Sequence, residues 1–228
     1  MYSLVIAEAA MELVPQILRN HPSVRNHSKR TGRGSNELFL DISYHHKAMV
    51  EKNIDQWWKR GRPDIVHFDL VTALSTPLFK EKRLQVYVST FDNNLVTLSQ
   101  DLRIPKNYSR FERLMIGIMN KQKSKDSAAL IEYQEDVNFN ALMEKIVRPD
   151  LIIGFSVKGT KSKISDILRN NAIDTSKHYC FVVGGFQRGY FSDIVSEACD
   201  VIYSISPLGL ESHVVISRIL YECENYIQ

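Results

Sequence analysis

Two short apolar runs near the C-terminus, each stopped by a glycine-bearing loop, constrain this chain more than any other feature. Tyr179 to Val183 ends at Gly184-Gly185, and Asp200 to Ile205 ends at Ser206-Pro207-Leu208-Gly209. Brief apolar runs bounded by turn residues read as buried strands. Val215, Ile216, Ile219, Leu220, Cys223 and Ile227 then recur at helical spacing and define one apolar face. This arrangement sets two backbone loops side by side at the carboxyl edge of a sheet, where open α/β folds bind ligands. Glycine there lets main-chain amides and carbonyls approach a flat ligand, although a lone Gly-Gly also marks an ordinary turn.

The rest of the chain alternates strand and helix patterns, which indicates an α/β fold with a mostly parallel sheet. Tyr2 to Ile6 reads as a buried strand, followed by an alanine-rich helix through about Leu18. Asn20 to Asn36 carries Pro22, Gly32 and Gly34 with no periodic pattern and reads as a long loop, either functional, with basic side chains that suit a phosphate-bearing partner, or disordered without function. Glu37 to Ile42 reads as a short strand, and Asp41 to His46 leads into a helix through Asn53. In Gly61-Arg62-Pro63-Asp64, proline suits the first helical position and aspartate complements the helix dipole. Leu84 to Thr90 and Leu95 to Leu98 flank Asp92-Asn93-Asn94 as a hairpin. Phe111, Leu114, Met115 and Ile118 build an apolar helix face, with Arg110 and Arg113 on an adjacent stripe. Lys121 to Ser127 reads as a polar connection. Ala128 to Tyr133 and Leu151 to Val157 read as strands, with a helical pattern at Phe139 to Ile146 between them. Lys158 to Lys161 reads as a loop ahead of a helix at Ile164 to Arg169.

At 228 residues, 44% hydrophobic and 24% charged, the chain has the length and composition of a soluble globular protein. No run approaches a membrane span in length, and Met1 leads straight into a strand, so neither a span nor a signal peptide is expected. Cys180, Cys199 and Cys223 have no metal spacing and read as buried reduced thiols. The net charge of +3 says little, but its distribution says more. Residues 19–33 carry Arg19, Arg25, Lys29, Arg30 and Arg33 with no acid, and residues 101–125 are also strongly basic. Two such clusters are the footprint of a phosphate-bearing partner.

Two tempting motifs carry little. His45 and His46 are adjacent and point about 100° apart on a helix, which suits no single metal ion. Lys158-Gly159-Thr160-Lys161 lacks the spacing and the Gly-Lys-Thr order of a phosphate-binding loop.

Val183-Gly184-Gly185-Phe186-Gln187-Arg188-Gly189, then Ile205-Ser206-Pro207-Leu208 and a closing helix, resembles the cofactor-binding region of SPOUT methyltransferases. Arg62-Pro63-Asp64 and Arg103-Ile104-Pro105 extend the likeness to nearly the whole chain. It is most similar to the ribosome-biogenesis family that methylates N1 of a pseudouridine in small-subunit rRNA. The resemblance implies a SPOUT-type α/β sheet with a C-terminal trefoil knot and a family-specific extension. It also implies one domain over residues 1–228, with residues 178–228 forming the knot. Pattern alone would have led to an ordinary open sheet, because knots are almost absent from proteins.

Carried over residue by residue, the resemblance assigns S-adenosylmethionine to Val183, Gly184, Gly185, Gly189, Ile205, Ser206, Pro207 and Leu208. It assigns RNA contact to Arg62, Arg103, Lys106, Arg110 and Arg113. Asp64 becomes a structural partner near the active site and the candidate general base, with solvent as the alternative proton acceptor. A homodimer without metal is implied by the resemblance, and the compact chain without basic tails suggests a cytoplasmic setting. Two readings compete: a SPOUT enzyme acting on another RNA, and a non-catalytic RNA-binding assembly factor that keeps the pocket.

Overall fold

The computed structural model describes residues 1–120, 130–171 and 176–226. Its centre is a seven-stranded sheet. In chain order the elements are β1 (Tyr2–Ala9), α1 (Pro22–Thr31), α2 (Ile42–Glu51), α3 (Pro63–Leu74), α4 (Pro77–Lys80), β2 (Leu84–Thr90), β3 (Leu95–Leu98), α5 (Tyr108–Met119) and β4 (Ile131–Gln134). There follow α6 (Phe139–Ala141), which runs into a π-helical turn at Leu142–Val147, then β5 (Leu151–Lys161), α7 (Ile164–Asn170), β6 (Tyr179–Gly184), α8 (Asp193–Ala198), β7 (Val201–Ser204) and α9 (Ser212–Tyr226).

The strand order is β4-β3-β2-β1-β6-β5-β7. β2, β1, β6, β5 and β7 are parallel, and β3 and β4 add an antiparallel edge. The mostly parallel sheet and the β2–β3 hairpin read from sequence are therefore present. β1 and β6 lie at the centre, so both of their faces are covered and their side chains are apolar almost without interruption. Alternate residues split between two cores. Leu4, Ile6, Phe181 and Val183 join a large cluster with α3, α5, α7 and α9. Val5, Ala7, Cys180 and Val182 join a smaller one with α6 and α8 on the opposite face. A third cluster lies among α1, α2 and the segment before α1.

Several local expectations fail, each for a tertiary reason. The alanine-rich stretch after Ile6 is not a helix. β1 continues to Ala9, and the chain bends at Ala10. Ala10 N–H donates to Gly185 O at 2.8 Å, Phe91 N–H to Ala9 O at 3.0 Å, and Arg62 N–H to Ala10 O at 3.0 Å. Three remote segments hold this backbone, and the small side chains let them approach; that outweighs alanine's helix preference.

The Asn20–Asn36 loop is instead mostly α1. His21 caps it by accepting from Ser23 N–H at 3.2 Å, Pro22 opens it, and Gly32, at φ +68°, ends it. Only Val24 and His27 are buried in this helix, so it shows no apolar period. Glu37 to Ile42 is not a strand. It holds one isolated bridge, Leu13 to Phe39, and Asp41 caps α2. Lys158 to Lys161 is not a loop but the end of β5, which bulges between Phe155 and Thr160 and then pairs again with β7. Lys121 to Ser127, the first two residues of the Ala128–Tyr133 strand and Ile227 lie outside the described residues.

Among the described residues no helix is long and apolar enough to cross a membrane. The three cysteines are free thiols, and burial pushes Cys199 up to about 12.

Candidate methyl-donor pocket and basic face

A cavity of about 360 Å³ opens at the carboxyl ends of β5, β6 and β7. That volume falls in the range of small-molecule sites. β6 and β7 are not neighbours in the sheet, because β5 lies between them. Their following loops nevertheless meet across the end of β5.

Val183, Gly184, Gly189, Ile205, Ser206 and Leu208 all line the cavity. Pro207 and Gly185 do not. A Cβ on Gly185 would stand 2.5 Å from Ile6 Cγ2 and 3.1 Å from Ala9 Cα, so this glycine serves the close packing of β6 on β1. A Cβ on Gly184 would meet the Phe186 ring at 2.6 Å, inside the cavity wall. Sequence reasoning missed Phe155 to Val157, Tyr190, Glu211 and Ser212, which also line it. They belong to the end of the expected strand at Leu151 to Val157, to which no binding role was given, and to positions without a motif of their own.

The loops are held rigidly. Ser204 Oγ donates to Ser206 O at 3.0 Å, and Ser206 Oγ accepts from Leu208 N–H at 3.1 Å. On the other side, Lys59 is almost fully buried, pairs with Glu8 at 3.1 Å and lies 4.7 Å from the centre of the Phe186 ring. Glu8 also accepts from Ser192 N–H at 3.2 Å. Its backbone sits at φ +48°, at the irregularity that ends regular β1–β2 pairing. Lys158 Nζ lies 3.6 Å from the centre of the Tyr190 ring, one of the cavity's lining residues.

Outside the cavity, α3 carries the first basic group. Arg62 donates through Nε to Asp64 Oδ1 and through Nη2 to Asp64 Oδ2, both at 2.8 Å. The hydrogen bonds it donates to Asp64 hold the guanidinium above its usual range, and Glu211 at the cavity rim acts on it in the same direction. His67, next to this pair on α3, donates from Nε2 to Pro105 O at 2.8 Å and stacks on Phe111 at 4.5 Å. One buried imidazole thus joins α3, the Arg103–Lys106 segment and α5. Asn107 caps α5 by accepting from Arg110 N–H. Arg103, Lys106, Arg110 and Arg113 are exposed and pair with no acid among the described residues. In the other basic cluster Arg33 pairs with Glu112 at 3.3 Å, and Arg30 lies over Tyr44.

The adjacent histidines do not build a metal site. His45 is fully buried, its Nδ1 accepts from Asp41 N–H, and its Nε2 donates to His27 Nδ1 at 3.0 Å. Burial lowers its pKa to about 4, so it stays neutral. No group of three metal-ligating side chains occurs among the described residues.

With this geometry in view, comparison with known proteins decides the family. A family model described as EMG1/NEP1 methyltransferase matches residues 4–224. The chain belongs to the EMG1/NEP1 methyltransferase family. It is 36% identical to a protein of Methanothrix thermoacetophila named Ribosomal RNA small subunit methyltransferase Nep1, over all of this chain and 97% of that one. A protein of the same name from Staphylothermus marinus is 34% identical, over 98% of this chain and 95% of that one. The crystal structure of Archaeoglobus fulgidus Nep1 bound to S-adenosylhomocysteine superposes with a TM-score of 0.82 at 31% identity, covering 98% of this chain and 97% of that one. Family membership bears out the resemblance read from the loop and arginine motifs. The EMG1/NEP1 fold here is the mixed α/β sheet described above, and the chain is a methyltransferase.

Proposed function

We propose that this protein transfers the methyl group of S-adenosylmethionine to N1 of a pseudouridine in small-subunit rRNA. The observation that carries the reading is the meeting of a glycine-walled cavity with an exposed basic face in a chain alike, end to end, to proteins named small-subunit rRNA methyltransferases. The solved relative is bound to the demethylated product of that donor.

The cavity fits the donor in kind. It is walled by loop backbone at Gly184 and Ser206 and by the aromatic rings of Phe186 and Tyr203. When bound, S-adenosylmethionine supplies an activated methyl on a sulfonium, so the protein's tasks are to orient two reactants and remove one proton. Val183, Gly184, Gly189, Ile205, Ser206 and Leu208 would hold it, with Gly185 and Pro207 shaping the same loops from behind.

A base inside a stack cannot reach this cavity, so the target is a loop nucleotide turned out of its stack. Arg62, Arg103, Lys106, Arg110 and Arg113 grip phosphates and set the register, and the cavity reads the base. Asp64 aligns Arg62 in the free protein. When Arg62 turns to a phosphate, one oxygen of Asp64 is released to take the N1 proton, with water as the alternative acceptor. The chain acts as a single domain and as a cytoplasmic homodimer. A C-terminal trefoil knot is favoured by the placement of β7 beyond β5 and the return of α9 onto α3.

The test is a matched pair of short rRNA loops with uridine or pseudouridine at the target. In uridine N1 carries the glycosidic bond, whereas pseudouridine presents N1–H. Comparable binding with transfer to pseudouridine alone is expected. Transfer to uridine would require a different target atom, and binding without any transfer would favour a non-catalytic assembly factor.

A further inference from the structure

Asp69 lies on α3 behind the cavity, with no solvent exposure. Its Oδ1 accepts from the Ser212 hydroxyl at 2.6 Å, and Oδ2 is a buried atom with no hydrogen-bond partner. Ser212 lines the cavity, so one hydroxyl separates this carboxyl group from the space proposed for the methyl donor. Buried carboxylate oxygens rarely go unpartnered, and a buried charge is costly unless something offsets it.

Among the described residues, what offsets it is the Ser212 hydroxyl at the N-terminus of α9, and no cationic side chain is paired with it. α3 and α9 meet through Val66, Leu70 and Ala73 with Ile216, Ile219 and Leu220. α5 presents Phe111 and Tyr108 to the neighbouring His67, and β1 contributes apolar Leu4 and Ile6. Glu211, at the entry to α9, adds charge of the same sign. Arg62 at the head of α3 is taken up by Asp64, and His213 faces outward against Phe68 at 5.7 Å. A cation entering the cavity would therefore be the first full positive charge brought close to Asp69.

We infer that Asp69 is a specificity-determining residue of this pocket, whose buried carboxylate behind Ser212 favours a sulfonium over a thioether. The inference rests on the reading that the cavity takes S-adenosylmethionine. Donor and demethylated product share the adenosine, the ammonium and the carboxylate. They differ by one methyl group and by the positive charge on sulfur, so their affinity ratio isolates the electrostatic contribution. Burial raises Asp69 to about 7, which leaves it close to half protonated at neutral pH. Binding of the sulfonium draws it to the ionised form: the carboxyl O–H bond breaks and the proton passes to solvent. The thioether exerts no such pull. After transfer the product is held less tightly than the donor that replaces it.

The experiment is calorimetric titration of the full chain with S-adenosylmethionine and with S-adenosylhomocysteine, at about pH 6 and about pH 8, in buffers of different ionisation enthalpy. Preference for the sulfonium should rise about three- to tenfold across that interval, with net proton release near neutrality for the sulfonium alone. Asp69→Asn should hold the ratio at its low-pH value throughout and abolish the proton release. A variant that keeps the wild-type ratio and its pH dependence overturns the inference. If the variant does not fold, the wild-type series decides alone, and a ratio flat in pH overturns it. Failure of the wild type to bind either compound would instead remove the cofactor reading on which the inference stands.

Discussion

Lys59 Nζ lies 3.2 Å from Oε1 and 3.1 Å from Oε2 of Glu8, and the same ammonium faces the Phe186 ring that walls the cavity. The pair ties the end of β1 to the loop after β6, and Glu8 extends the tie to the cap of α8 through Ser192. Removing one partner leaves the other charge buried and uncompensated, which costs about 3–5 kcal/mol. Lys59→Met should lower the thermal midpoint strongly and weaken S-adenosylhomocysteine binding, because the Phe186–Gly189 loop loses its anchor. Differential scanning calorimetry and titration of the surviving folded protein check both.

Gly185 belongs to the sheet rather than to the cavity, so its substitution should act on stability. A Cβ there meets Ile6 Cγ2 at 2.5 Å, and overpacking of this kind costs about 1–3 kcal/mol. Gly185→Ala should therefore lower the urea midpoint while the folded fraction binds S-adenosylhomocysteine with near-wild-type affinity. Normal stability with lost affinity would place Gly185 at the ligand after all.

The exposed cations around α5 act on RNA through charge. Each of Arg103, Lys106, Arg110 and Arg113 replaced by alanine should lower the salt slope of binding to a single-stranded rRNA loop by roughly 0.7, with donor affinity unchanged. Binding measured across a salt series reads the slope directly. Wild-type slopes in all four variants would make this face ordinary solvated surface.

Asp69 gives the fold a pH dependence of definite sign. Burial raises its pKa from 3.8 to about 7, so between those values the folded chain holds a proton that the unfolded chain has lost. Stability from this group is full below about pH 4, falls as pH rises, and is lost above about pH 7, a total of at most about 4 kcal/mol. Asp69→Asn should flatten that slope in denaturant titrations across the same interval. Unchanged slopes would mean that Asp69 ionises in the folded chain as it does in water.

The central strands were legible in sequence as short apolar runs bounded by turn residues, α3 by Pro63 and Asp64 at its start, and α5 and α9 by their periodic burial. Val183, Gly184, Ile205 and Ser206 were legible because their motifs follow buried strands. What the tertiary structure decided were matters of long-range contact. Ala9 and Ala10 stay out of a helix because Gly185, Phe91 and Arg62 bond to their backbone, and local propensity carries no trace of partners so remote in sequence. α1 was hidden because a helix that buries only Val24 and His27 has no apolar stripe, although Pro22 at its start and Gly32 at its end marked its limits. Glu8, Lys59, Asp69 and Ser212 belong to no motif. Each gains its role from a partner at least 51 residues away, Lys59 for Glu8 and Ser212 for Asp69. Charge pairing and desolvation act through space, so only the folded chain could bring those residues to the surroundings of one cavity.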